Sequence, residues 1–201
     1  RYGGVPPLLH VSNDADLPRS SEEDTWNQVL ADFDSAAELL AEDSYQRGQV
    51  NRYAALAFKA EAMLYAGSIA KYNQDFSDRL SYLGTKAPGV RIMGFDPDRW
   101  QEISIKYFSE AYKAAREVMK SNKYSLRTAS GTDANSLYQN MVDMWRDLSS
   151  PENILVREYI YPTYTHGLDA YSSPYLWHHP LAGGTCPTLD FVELFDGFER
   201  Y

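Results

Sequence analysis

With 201 residues the chain is long enough to bury a full core, and it reads as one domain. A formal charge of −9 with no run of Lys or Arg removes the attraction that a phosphate backbone requires, which excludes nucleic acid as a partner. No apolar stretch approaches the roughly 20 residues that span a bilayer, no signal peptide is visible, and the single cysteine, Cys186, has neither a disulfide partner nor a neighbour at metal-ligand spacing.

In chain order, residues 1–18 carry Gly3, Gly4, Pro6, Pro7 and Pro18 and read as an extended connector. Ser20 followed by Glu23 has capping-box spacing, and Trp26, Val29, Leu30, Phe33, Ala37 and Leu40 then mark an amphipathic helix ending near Glu42. Residues 49–73 predict a long helix with Ala54, Phe58, Ala62, Tyr65, Ile69 and Tyr72 on one stripe and Leu56, Ala60, Met63 and Leu64 opposite. Only Lys59, Glu61 and Lys71 interrupt it with charge, so it is expected to pack on more than one side. Residues 74–95 lack sustained periodicity, contain Gly84, Pro88, Gly89 and Gly94, and read as an insertion within a helix pair.

Asp96 and Pro97 suggest the cap and first position of a further helix reaching Asn122, with Tyr107, Phe108, Ala111, Ala115, Val118 and Met119 as its buried stripe. The Phe108, Ala111, Tyr112 and Ala115 spacing is similar to the second helix of a tetratricopeptide-type unit, so the fold class is all-α, a helical-repeat scaffold with long irregular loops. A shorter helix is predicted over 133–145, with Leu137, Met141, Met144 and Trp145 on one side, and Pro151 ends it. Residues 152–161 alternate enough to suggest a short strand or extended segment. From 159 to 187 the chain is rich in turns, aromatics and histidine and reads as a structured loop; a final helix starts near Thr188 with Leu189, Val192 and Phe195 buried.

Several of these segments together resemble the SusD/RagB family, surface lipoproteins of Bacteroidetes that act with a TonB-dependent transporter in glycan uptake. RYGGVPPLL resembles that family's connector, PRSSEEDTWNQVLADFDSAAELL its arginine-led cap and helix, and RYAALAFKAEAMLYAG its alanine-rich helix. YFSEAYKAAREVMKSNKYSL, ENILVREY and PTLDFVELFDGF follow in the family's order. Glu61 stands where the family often has arginine. The resemblance implies a SusD-like tetratricopeptide scaffold whose loops present a glycan site, docked on a SusC-like barrel in the outer membrane through a lipid anchor outside this segment. It also implies that the chain is the interior of a protein more than twice as long.

Aromatic residues make up 14 % of the chain, with sixteen tyrosines and four tryptophans, and the loop gathers Tyr159, Tyr161, Tyr164, Tyr171, Tyr175 and Trp177. A neutral sugar offers C–H faces to a ring and hydroxyl edges to amide, carboxylate or guanidinium groups. The loop supplies those partners in Arg157, His166, Asp169, His178 and His179. The candidate ligand-binding set is therefore Trp177, Tyr175, Tyr171, Tyr164, His178 and Asp169; the competing role for these rings is to pin the loop to the scaffold. Adjacent histidines diverge in helix and strand alike, so His178 and His179 make a poor chelate, which His166 and Asp169 could complete only in principle; a sugar hydrogen bond is the role expected of such a histidine. Asn73, Asp75 and Asp78 have oxygen ligands at short spacing but lack the glycine and terminal glutamate of a calcium loop, and Tyr82 and Phe95 offer further contact surface there. No metal or cofactor is expected.

Glu158 and Asp169 could be cast as a glycosidase acid and base, yet nothing places them at a working separation, and no nucleophile elbow, zinc-protease helix or phosphate loop is present. The function read from the sequence is non-catalytic glycan binding and delivery to a transporter. The alternatives are a SusD-like protein with peptide cargo and a tetratricopeptide-like scaffold that holds a peptide or protein in its helical groove.

Overall fold

Three long helices start on caps or turns that the sequence supplies. Helix α1, Glu22–Leu39, begins at Ser21, whose hydroxyl accepts the Asp24 N–H at 2.9 Å, with Glu22, Glu23 and Asp24 in the first turn. The cap lies one residue beyond the expected Ser20. The Ser20 hydroxyl points instead to the Val5 carbonyl, donating at 2.7 Å, and Glu23 reaches Arg99 at 3.3 Å rather than folding back. The helix also stops short of Glu42, because Leu40 turns extended. Helix α2, Arg52–Tyr72, is capped by Asn51, whose Oδ1 accepts the Ala54 N–H at 2.9 Å.

The computed structural model describes residues 3–11, 13, 16–44, 46–73, 82–83, 88–147, 149–160, 162–163, 165, 167 and 188–194. Its contacts form two units, Arg1–Val156 and Arg157–Tyr201. Between α2 and the next helix, where no regular element was expected, β1 (Tyr82–Leu83) pairs antiparallel with β2 (Arg91–Met93). Tyr82 lies opposite Met93 and Leu83 opposite Arg91, with a bulge between the two pairs.

Helix α3 is Trp100–Lys120, three residues later than the sequence suggested. The Asp96 carboxylate accepts the Asp98 N–H at 3.0 Å and the Asp96 carbonyl accepts the Arg99 N–H at 3.1 Å, so this aspartate builds a turn before the helix. Asn122 closes the other end in the left-handed region at φ 54°, a conformation asparagine tolerates. Helix α4, Ala134–Arg146, starts on Asp133, whose Oδ1 accepts the Ser136 N–H at 3.0 Å. The helix falls where it was predicted, yet no residue of α4 is buried, and Leu137, Met141 and Trp145 are exposed.

Side-chain pairings give the helix directions. Trp26 meets Tyr65 and Asp34 meets Lys59, so α1 and α2 are antiparallel; Arg52 meets Glu117 and Lys59 meets Glu110, so α2 and α3 are antiparallel as well. This is the tetratricopeptide-like packing of an all-α fold. Met63, Ala66 and Ala70 of α2 pack on Ile103, Tyr107 and Ala111 of α3, joined by Phe95 and by Trp26, Val29 and Leu30 of α1. A second cluster joins Ala37, Tyr53, Ala55, Leu56, Ala114 and Val118. Gly67 marks a close approach, since a Cβ there would lie 2.7 Å from the Phe108 ring.

Which faces are covered differs from the expected stripes. In α2 the buried row runs through Leu56, Lys59, Met63, Ala66 and Ala70, while Phe58, Tyr65 and Tyr72 are exposed. In α3, Ala115 and Met119 are exposed and Ile103, Ser104 and Ala114 are buried. An amphipathic period sets the direction of the apolar side only to within a turn; the neighbouring helices choose its centre.

The fully buried Tyr107 has its hydroxyl donating to Asn27 Oδ1 at 3.0 Å, and burial, followed by the acidic first turn of α1, pushes its pKa up. Tyr107→Phe is expected to cost about 1 kcal/mol in chemical denaturation, the usual net worth of one such bond, because Asn27 keeps the Lys106 ammonium at 2.6 Å. A cost near 4 kcal/mol would instead show that the hydroxyl holds the α1–α3 contact together.

Over 152–161, where the sequence suggests a short strand or extended segment, no strand forms among the described residues, and Ile160 of the second unit alone makes a β-bridge. Helix α5 is the single turn Leu189–Val192, starting as expected at Thr188, whose hydroxyl accepts the Phe191 N–H at 3.3 Å. Val192 is half-buried, and Phe195 lies outside the described residues.

Candidate functional site

The sequence places its binding set in the loop after the helices. Tyr164, Asp169, Tyr171, Tyr175, Trp177 and His178 all lie outside the described residues, as do Tyr161, His166, His179 and Cys186. The approach to that loop is described. There the Arg157 guanidinium sits over the Tyr159 ring at 5.3 Å from its centroid, and the ring is exposed. A cation stacked on an open tyrosine combines an apolar face with a fan of donors, the two elements a hydroxyl-bearing ring needs.

Other candidates are relocated. Phe95, offered from sequence as contact surface, is buried and packs against Tyr107 with ring centroids 5.9 Å apart, so it belongs to the core. Asn73 closes α2 as its C-cap, and Asp75 and Asp78 fall outside the described residues. Among the described residues no group of three His, Cys, Asp or Glu side chains could hold a metal ion, and no helix is long and apolar enough to cross a membrane.

The helical groove bears on the peptide reading. A cavity of ≈ 370 Å³ is lined by Asp34, Glu38, Arg52, Lys59, Glu110 and Glu117 among others. Its charges are largely spent on one another: Lys59 reaches Asp34 at 2.7 Å and Glu110 at 2.8 Å, Lys113 reaches Glu110 at 2.7 Å, and Arg52 reaches Glu117 at 2.9 Å. Burial lowers the Lys59 pKa, but the hydrogen bonds to Asp34 and Glu110 outweigh it and leave it raised. Lys113, then Lys59, hold the Glu110 carboxyl below the usual carboxylate range. These groups lock helices together; little is left over to grip a ligand.

A second cleft, with Arg47 as its one charged wall residue, brings Asn51, Tyr124, Ser150 and Asn153 together. Sequence reasoning missed it, because these residues are scattered along a hundred positions with no common period or motif.

No family model matches the chain, and no curated protein matches it. Among solved structures it is similar to a SusD-like protein from Bacteroides fragilis, with 22 % identity and a TM-score of 0.47. The similarity covers 88 % of this chain, which spans 27 % of the length of that structure.

Proposed function

We propose that the chain is a segment of a SusD-like protein of the SusD/RagB type. In this reading it binds a polysaccharide or oligosaccharide at the cell surface without cleaving it and passes it to a SusC-like TonB-dependent transporter. A lipid anchor outside the segment holds it to the outer membrane.

The observation that carries this reading is that the family-like motifs, besides their order, join physically. The connector around Gly4 and Val5 is bound to the arginine-led cap: Arg19 Nε donates to the Gly4 carbonyl at 2.6 Å, and Val5 N–H donates to Thr25 Oγ1 at 3.1 Å. The alanine-rich helix α2 then packs between α1 and α3, which bear the next two motifs. The exposed Tyr159 ring under Arg157 supports a sugar ligand in the loop that follows. Capture needs only modest affinity, since holding the ligand beside a transporter raises its local concentration.

Affinity gel electrophoresis of the intact protein against a panel of soluble polysaccharides tests the proposal. Retardation by one glycan supports it; retardation by none, with a peptide copurifying, favours peptide cargo. Trp177→Ala is expected to weaken binding of the retarding glycan about fivefold with helicity unchanged, given roughly 1 kcal/mol for an aromatic contact. Unchanged affinity in titration calorimetry would remove Trp177 from the site.

A further inference from the structure

We propose that the first unit carries a recognition site of its own for a single neutral sugar ring or a comparable polyol. The site is a cleft of ≈ 250 Å³ between the α1–α2 loop, Tyr124 and the segment ending at Val156. At about 30 Å³ per water that is room for far more than a bridging solvent molecule.

The chemistry of the walls selects the ligand. Ser150 is 5 % exposed, yet its hydroxyl accepts only a long bond from Glu152 N–H at 3.4 Å and donates to no acceptor among the described residues. The Tyr124 hydroxyl accepts an amide N–H from the buried Asn51 at 3.1 Å and likewise donates to no described residue. Gln49 uses its Oε1 on the Gln46 N–H at 3.2 Å and keeps its amide donors, and the Asn153 amide makes no hydrogen bond among the described residues. Of these only Ser150 is buried, so its unmet hydroxyl donor is costly unless something accepts from it, whereas the exposed Gln49 and Asn153 amides line the mouth.

Hydroxyls and amides both donate and accept, which matches the alternating hydroxyls of a sugar. Leu155 and Val156 add an apolar wall for a C–H face. No carboxylate lines the cleft, and its one cation, Arg47, already has a partner, so neither a cation nor an anion is selected.

The test is an amide-resolved NMR titration of the intact protein with the methyl α-glycosides of glucose, galactose and mannose, with sodium glucuronate and sodium phosphate as anionic comparators. At least one neutral glycoside is expected to give saturable shifts at Gly48, Gln49 and Asn153, more tightly than either anion. Ser150→Ala and Asn153→Ala should each weaken that binding about fivefold, the loss of roughly one hydrogen bond. Asn153 is exposed, so its variant remains informative if Ser150→Ala disturbs folding. Saturation by no neutral glycoside, tighter binding of an anion, or an unaltered titration in Asn153→Ala would each overturn the proposal. Because the glycan reading rests on gel retardation and on Trp177, either proposal can fail while the other stands.

Discussion

Replacing Lys59 with alanine is expected to destabilise the first unit by about 3 kcal/mol and to lower its melting temperature by roughly 6–12 °C. The side chain is only 8 % exposed and joins three helices, reaching Asp34 on α1 and Glu110 on α3 from α2. Removing it leaves a void and takes a shared cation from two carboxylates: Asp34, half exposed, can regain water, whereas Glu110, 22 % exposed, keeps only Lys113. Lys59→Met separates the contributions: it restores most of the volume and none of the charge, so a methionine variant nearly as unstable as the alanine variant assigns the loss to electrostatics. Two variants within about 0.5 kcal/mol of wild type would show that the network contributes nothing net.

The same network fixes a pH dependence. Lys113 first and Lys59 second hold the Glu110 carboxyl below its unfolded value of 4.5, so its contribution is present above that value and fades as pH falls through the folded one, and Lys59→Ala removes only the Lys59 share. Lys59 has a raised pKa, so its contribution is complete below the unfolded value of 10.5 and fades as pH rises through the folded one. The stability gap between wild type and Lys59→Ala is therefore widest between those limits and narrows on both sides. A gap independent of pH would leave packing as the whole cause.

Gly4→Ala is expected to cost about 3 kcal/mol, combining overpacking against backbone with loss of neighbouring hydrogen bonds. Gly4 is buried, and a Cβ there would be driven into the carbonyl oxygen of Ser20, well inside van der Waals contact. The backbone cannot yield without breaking the bond from Gly4 N–H to the Ile92 carbonyl, 2.7 Å, or the one from Arg19 to the Gly4 carbonyl. Gly3 before it adopts φ 69°, the region where a side chain is strained. Thermal denaturation with Val5→Ala as the exposed-site control reads the effect; a melting temperature within about 2 °C of wild type would mean that the connector is not anchored as described.

Much of the helical frame was legible because its signals are local. Asn51 and Asp133 cap their helices through N–H groups three residues on, and alanine-rich periodicity over 49–73 marks α2 wherever it packs. Misplaced starts had a common cause. Ser20 and Asp96 are good caps in isolation, but the Ser20 hydroxyl turns to the carbonyl of Val5, fifteen residues earlier, and Asp96 spends its carboxylate on a tight turn at Asp98. The aromatic loop was readable as composition alone, and Phe95 shows how composition misleads: an aromatic near a loop became core because Tyr107 stood beside it.

From its residues one reads that the chain is helical, where its long helices run, that its charge is unsuited to nucleic acid, and which segments resemble a glycan-uptake family. Only the folded chain shows which faces are covered, that a lysine bridges three helices, and that Asn51 meets Tyr124 across 73 positions to floor a largely uncharged cleft. The division follows from range. Caps and periods act within a turn of helix, whereas burial and site geometry depend on neighbours that only the folded chain brings within a few ångströms.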